Sequence, residues 1–243
     1  MPMNPVTTIT FFKFTSLKNK MWAFKMMRDA PRVLQKIKGQ TFFKLMGSGK
    51  NKGFNPLPDW SVYCLLQTWQ DLQAADTFLQ QSSLIAAYRA HCEEVWSLYM
   101  RSLRAKGTWE GEQPFLENEA FSADNSLLAV LTRGTMKTSK LYAFWKQAAV
   151  TQQVLHQSEG LIYSKGIAEV PITQIATFSI WQNTDAMKAF AFRTQAHRDA
   201  MKKTHTIQWF KEDLYARFQP FKSVGTWLGT TLLPQLSTEN AKM

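Results

Sequence analysis

The sequence predicts an α+β protein: two tandem ferredoxin-like halves, each β-α-β-β-α, forming a dimeric α/β-barrel-like pseudo-dimer within one chain. Three observations carry this. Short matches recur along the chain in order, at slowly drifting offsets. Strand-like and helix-like segments alternate in the same sequence in both copies. The 243 residues are 45% apolar and 13% aromatic, enough for a substantial core.

The duplication shows first in Lys20-Met21-Trp22-Ala23-Phe24, which returns as Lys140-Leu141-Tyr142-Ala143-Phe144. At the same offset Ile9–Phe14 falls on Ala129–Gly134 and pairs Lys13 with Arg133. Gly47 matches Gly166. Trp69-Gln70, Ala74 and Phe78 match Trp181-Gln182, Ala186 and Phe190, and Gly107-Thr108-Trp109 matches Gly225-Thr226-Trp227. Within this frame Ile9–Phe14 and Leu127–Met136 read as strands, with apolar and β-branched residues bounded by polar ones. Helical segments at 16–38 and 139–157 follow, the first with Ser16 as N-cap and Pro31 closing its first stretch. Short strands are expected near Phe42–Met46 and Leu161–Lys165, and longer ones at Ser61–Trp69 and Gln174–Trp181. Helices then begin near Asp71 and Thr184 and continue through Leu84–Leu103 and Ala196–Phe210. The domains follow: residues 1–109 as a first half, an acidic linker at 110–125, residues 126–228 as a second half, and a tail at 229–243.

Charge is distributed unevenly. The chain carries a net +11, yet residues 1–55 hold eleven basic side chains against the single acid Asp29, leaving the rest nearly neutral. Between Ser16 and Ala30 these cations alternate with Leu17, Met21, Trp22, Phe24, Met26 and Met27, an amphipathic pattern suited either to an anionic membrane surface or to core packing with a basic outer face. No apolar run approaches the roughly 18 residues that cross a bilayer. The N-terminus has neither the charged region nor the apolar run of a signal peptide, and two cysteines cannot build a disulfide framework. The expected location is cytoplasmic, peripherally associated with the inner face of the membrane.

Several motifs fail on inspection. Gly47-Ser48-Gly49-Lys50 lacks the glycine and the Ser or Thr of a phosphate loop, with Lys44 and Asn51 in those places. Lys52-Gly53-Phe54 starts like an RNA-recognition strand but is cut by Asn55-Pro56, so no nucleic-acid partner is expected. Cys64 and Cys92 read as buried free thiols. Among the four histidines, His156 and His205 read as exposed and His91 as a packed helix residue. His197 follows the aromatic run Phe190-Ala191-Phe192 among small and soft residues; its counterpart in the first copy is Ile85, so a site there would be single.

MWAFKMM, FFKLMGSGKNKGFNPLPDW, GTWEGEQPF, AVLTRGTMK with LYAFW, YSKGIAEVPITQIATFSIW, and MKAFAFRTQAHRDAM followed by WFKEDLYARF together resemble the spheroidene monooxygenase family, the acyclic-carotenoid 2-ketolases, from about residue 9 to Phe218. The resemblance implies a haem-dependent oxidoreductase (haem b, iron) that inserts an O2-derived oxygen atom into an acyclic carotenoid or other lipophile. It implies an external electron donor, a ferredoxin or reductase, since no flavin or nicotinamide fingerprint is present. His197 would be the iron ligand, with His91 or His205 as fallbacks. Arg193, Arg133, Lys165 and Arg198 are candidates to neutralise propionates. Phe178, Ile180, Phe190 and Trp181 would wall the pocket. The competing expectation is a non-enzymatic haem- or lipophile-binding barrel at the membrane surface.

Overall fold

The computed structural model describes residues 4–50, 55–118, 121–193 and 206–236. Eight antiparallel strands close a barrel: β1 (Val6–Lys13), β2 (Gln40–Gly49), β3 (Pro58–Trp69), β4 (Glu94–Gly107), β5 (Leu128–Met136), β6 (Leu161–Val170), β7 (Gln174–Trp181) and β8 (Phe210–Gly225). Around the barrel they run β1-β3-β2-β6-β7-β5-β8-β4. The first half therefore reads β4-β1-β3-β2 and the second β8-β5-β7-β6, the same order. Helices α1 (Leu17–Asp29), α2 (Pro31–Leu34), α3 (Leu72–Gln81) and α4 (Ser83–His91) cover the first half. Helices α5 (Leu141–His156) and α6 (Thr184–Lys188) belong to the second, α6 running into a five-residue π turn, Ala189–Arg193.

Local signals work as the sequence suggests. The Ser16 hydroxyl accepts from the Asn19 N–H at 3.2 Å, and Pro31 opens the next turn. Asp71 and Asn183 cap α3 and α6 by accepting from the Ala74 and Ala186 N–H groups. The two halves also repeat a backbone clasp, Gln70 N–H to Gly39 carbonyl and Gln182 N–H to Gly160 carbonyl, each at 2.8 Å.

Two expectations need correction. Each half carries a further strand, β4 or β8, where the sequence reads as a continuing helix: α4 stops at His91, and residue 210 begins a sixteen-residue strand. These strands do the closing. They pair with each other from Trp96 opposite Gly225 to Gly107 opposite Leu214, so β-α-β-β-α becomes β-α-β-β-α-β. The register of the repeat is also shifted. Val6 lies opposite Trp69 and Leu128 opposite Trp181, so Lys13 shares its place with Thr135 rather than with Arg133. Residues 110–118, without helix or strand, are anchored to the barrel: Phe115 enters the core, and the Asn118 side chain donates to the Pro5 carbonyl at 3.0 Å.

The interior is filled with large side chains. Phe11, Trp96, Tyr163, Phe178 and Trp227 meet with ring centroids 5.2–6.5 Å apart. Trp109 and Trp227 come from the turns that follow β4 and β8 and are buried at 1% and 2% exposure. Each turn is opened by a left-handed glycine, Gly107 at φ 91° and Gly225 at φ 95°; a Cβ there would lie 2.1 Å from the Asp213 carbonyl oxygen and 2.0 Å from that of Val95. Both constraints favour glycine. Gly225→Ala is expected to lower unfolding stability by about 3 kcal/mol, read as a drop in the urea midpoint at unchanged slope.

Candidate functional site

The barrel strands alternate inward and outward side chains, so each candidate residue can be assigned to a face. Phe178 and Ile180 are 0% exposed and point into the packed interior with Phe11 and Trp96. Arg133 also lies on the inner face of β5, at one end of the barrel. Its guanidinium bonds the Glu212 carboxylate, lies 3.8 Å from Glu169 and sits 5.2 Å over the Trp109 ring. Lys44 joins the cluster at 2.7 Å from both Glu110 and Glu169, and the Trp109 indole donates to Glu169 at 2.7 Å. Burial alone would raise the Glu212 carboxyl, but the Gly111 N–H, Arg133 and the Thr108 hydroxyl outweigh it and hold it down at about 2. Lys165, another propionate candidate, is paired with Asp59 at 2.8 Å inside the barrel. Arg133 and Lys165 are therefore already engaged by carboxylates, on the opposite face from the helices.

His91 packs between α1 and α4. Its ring stacks on Trp22 at 4.0 Å, and Nδ1 lies 2.9 Å from the Ala87 carbonyl. His197, His205 and Arg198 lie outside the described residues, as do the side chains of His156 and Arg193. Cys64 is fully buried and burial pushes its thiol up; Cys92 is pushed up to about 12 by the same cause, so neither is an activated nucleophile.

The outer faces of the two halves differ, which single positions do not reveal. In the first half one continuous cluster spans the sheet, with Phe12, Leu45, Tyr63, Leu65 and Trp69 packed beneath α1, α3 and α4 and partly buried Phe43 against them. Strand registers place Gly134, Gly166, Ile175, Thr177 and Trp181 where Phe12, Leu45, Tyr63, Leu65 and Trp69 stand, and Ser164 where Phe43 stands. Four large side chains are thus exchanged for small ones. The apolar packing of the second half accordingly splits in two: Leu128, Val130, Leu155, Trp181 and Met187 on one side, Met136, Phe144, Ala148, Ile175 and Trp209 on the other.

Between the two clusters the outer face carries only the small side chains of Thr132, Ser164 and Thr177, and this stretch is termed the hollow. Thr132, in the middle of β5, is exposed, whereas its counterpart Thr10 is 0% exposed and hydrogen-bonded to Ser97 at 2.8 Å. Among the described residues, four buried polar atoms of this outer side have no partner: Ser164 Oγ, Thr177 Oγ1, Trp145 Nε1 and Trp209 Nε1. Unpartnered polar atoms cost about 1–3 kcal/mol each and normally mark a missing water, ion or ligand. The chain leaves the first cluster at Phe190 and joins the second at Ile207; His197 lies in the sequence between.

A cavity of about 370 Å³ sits where the halves meet at the β2–β6 seam. Phe24 and Met27 of α1 and Trp60 line one side; Trp145 of α5 and Ile172 line the other; Gly166, Ile167 and Ala168 form part of its floor. The sequence gives no periodic signal for either feature, because both arise from registers between strands far apart in the chain. The ionic cluster predicts a pH response. Glu212 has its carboxyl depressed on folding, so its contribution is present above the ordinary carboxylate range near 4.5 and is lost as pH falls through about 2. The unfolding temperature of the native chain is expected to fall across that window, and the fall to be smaller in Glu212→Gln, measured by circular dichroism.

No protein-family model matches the chain. Two solved aldoxime dehydratase structures share the fold: one, in complex with butyraldoxime, has a TM-score of 0.63 at 12% identity over 94% of this chain and 84% of that one; the other has a TM-score of 0.61 at 10% identity over 89% and 81%. Sequence relatives are closer. The spheroidene monooxygenase of Rhodobacter capsulatus is 32% identical over 226 residues, 93% of this chain and 94% of that protein. Those of Cereibacter sphaeroides and Rubrivivax gelatinosus are 30% and 32% identical, over 91% and 79% of this chain and 68% and 73% of theirs. On that identity and coverage the chain belongs to the spheroidene monooxygenase family of oxidoreductases.

Proposed function

We propose that this chain is a haem-dependent monooxygenase that transfers one oxygen atom from O2 to an acyclic carotenoid or a similar lipophile. The hollow on the outer face of the second half carries the reading. Bulky residues of the first half are replaced there by Ser164, Gly166 and Thr177, it is walled by two apolar clusters, and it holds the unpartnered hydroxyls of Ser164 and Thr177. These residues fit a flat, largely apolar macrocycle whose edge needs a few hydrogen bonds. Family membership supports the same chemistry, which displaces the non-enzymatic alternative.

In this reading His197 holds the iron from the segment that follows the π turn, and Arg193 is the candidate for a propionate. Arg133, Phe178 and Ile180 take no part at the hollow, since they face the barrel interior. When bound, the haem supplies activation of O2 by external electrons. The chain's own work is to hold the group, keep water from it through the two apolar clusters, and place the polyene. A ferredoxin or reductase supplies the two electrons. The matching strand order supports reading the halves as ferredoxin-like units in tandem, of which only the second has been emptied for a cofactor.

Membrane association belongs to the same proposal. Leu17, Met21 and Phe24 on α1 are 77%, 61% and 53% exposed, so the apolar stripe of this basic helix faces outward, while Ala23 and the partly buried Trp22 and Met26 pack inward. Lys18, Lys20, Lys25 and Arg28 lie on the same helix and complement an anionic bilayer.

Two measurements test these readings. The purified chain, saturated with haem, is expected to show a Soret band that His197→Ala shifts strongly and Thr132→Trp abolishes with the fold retained; an unchanged spectrum in both would remove the haem reading. Cosedimentation with anionic vesicles is expected to fall by well over tenfold when Lys18, Lys20, Lys25 and Arg28 are all neutralised, since each cation contributes about 1 kcal/mol before screening. Unaltered cosedimentation would remove the membrane reading.

A further inference from the structure

The exposed apolar groups of α1 belong to a larger patch that crosses from one half of the barrel to the other. Phe24 meets the Trp60 ring at 5.4 Å, and Phe24, Pro56 and Trp60 of the first half surround the seam cavity together with Pro171 and Ile172 of the second. Trp60 and Ile172 are 52% and 41% exposed, and Leu57, between two prolines of the same lining, is 58% exposed. With Leu17 and Met21 of α1, large apolar side chains from three separate stretches of chain thus stand at one edge of the molecule.

The backbone there is built for an apolar surrounding. The turn from Val170 to Thr173 is closed by the Thr173 N–H donating to the Val170 carbonyl at 3.3 Å, with Pro171 second and Ile172 third at φ 74°. Glycine is the residue that suits a left-handed third position in a turn, and a β-branched residue there is strained. Strain carried by an exposed side chain points to a use outside core packing. Donors at the rim are few: Pro56, Pro58 and Pro171 have none, the Leu57 N–H donates to Asn55 Oδ1, and the Lys50 N–H donates to the Leu57 carbonyl, each at 2.9 Å. These groups can leave water without being stranded.

Charge around the patch has one sign to offer. Asp29 is held by Arg28 at 2.7 Å, Asp59 by Lys165 at 2.8 Å and Glu169 by Lys44 at 2.7 Å, so the acids nearby are neutralised. Helical spacing sets Lys18 and Lys25 on one side of the Leu17–Met21–Phe24 stripe and Lys20 on the other, and Lys50 is exposed just past the end of β2.

We propose that this patch enters an anionic lipid bilayer with both halves of the barrel. α1 lies in the headgroup plane with its lysines at the phosphates, and Leu57, Trp60 and Ile172 reach the acyl chains on the two sides of the β2–β6 seam. The proposal rests on the membrane reading above and deepens it: that reading needs α1 alone, whereas this one needs the second half. Cations that flank an apolar stripe on both sides match a negatively charged lipid surface, and contacts on both sides of the seam fix how the barrel is oriented on it.

Of the nine tryptophans, Trp60 alone is exposed, so quenching from outside reports on it. Vesicles of phosphatidylglycerol and acyl-brominated phosphatidylcholine are expected to quench the tryptophan emission of the native chain. Trp60→Phe is expected to lose most of that quenching while still sedimenting with the vesicles. Ile172→Gly, which relieves the left-handed residue and removes its side chain, should raise the melting temperature yet weaken cosedimentation about tenfold, and Ile172→Asp should weaken it further. Sedimentation of the native chain without quenching overturns the two-half insertion and leaves the membrane reading standing. So does native-like binding by both Ile172 variants when neutralising Lys18, Lys20 and Lys25 abolishes it. A native chain that does not sediment at all overturns both. A native dimer in solution that Ile172→Asp splits puts a second copy of the chain on this face and likewise overturns the proposal.

Discussion

Closure of the barrel around a solid interior is the constraint from which the rest follows. Strands β4 and β8 zip the two halves together, and Phe11, Trp96, Tyr163, Phe178 and Trp227 fill the space they enclose. An interior packed at this density transmits strain and accepts little extra volume. No cofactor-sized space is left among those rings. Whatever this chain binds must therefore sit on an outer face, between sheet and helices, or at a seam. The turns bearing Trp109 and Trp227 reinforce the rule by burying an indole at each of the two equivalent places. Behind each indole a carboxylate, Glu212 or Glu94, accepts from the glycine N–H of the turn and pairs with Arg133 or Lys13. The charges inside the barrel are thus committed to holding it shut.

The matching strand order allows the halves to be compared position by position. They share strand order, caps at Asp71 and Asn183 and the backbone clasp, and differ at matched places on their outer faces. Leu45 against Gly166, Leu65 against Thr177 and Phe43 against Ser164 all run the same way, from large to small, whereas at Gly134, the counterpart of Phe12, the Phe210 ring takes the space. Loss of a core-facing large side chain costs about 2–5 kcal/mol when nothing replaces it. The second half is accordingly held by different packing from the first, two separate clusters in place of one continuous one.

Much of this was legible in the residues, and the misses have causes. Ser16 and Asp71 announced helix starts because capping is local, and the cap at Asn183 stands one residue before the expected start at Thr184. Strands β1, β3 and β7 stood out through dense Ile, Val, Phe and Tyr. Strands β4 and β8 did not. The sequence Glu94–Gly107 is rich in Leu, Met, Arg, Ala and Lys and follows α4 with neither Gly nor Pro between, so helix propensity masked a strand imposed by barrel closure. β8 contains Pro220, a residue that argues against a strand; it is accommodated where the register with β4 slips between Tyr99 and Met100. Of the site, Arg133, Phe178 and Ile180 were readable as unusual but not by face, because a period of two needs a known register to become inside or outside. The hollow and the seam cavity are products of such registers and leave no mark in a linear window.

The basic first quarter gains its meaning from the same geometry. A helix that must cover a filled sheet needs only one apolar face, and α1 supplies it with Trp22, Ala23 and Met26. Leu17, Met21 and Phe24 are then surplus to packing, and they remain exposed beside Trp60, whose ring meets Phe24 at 5.4 Å. Exposed apolar groups of this size are costly in water and usually face a partner. They stand among lysines and arginines at the mouth of the seam cavity. Charge, surplus apolar stripe and cavity thus converge on one edge of the barrel, the seam at which β2 and β6 share only two residue pairs.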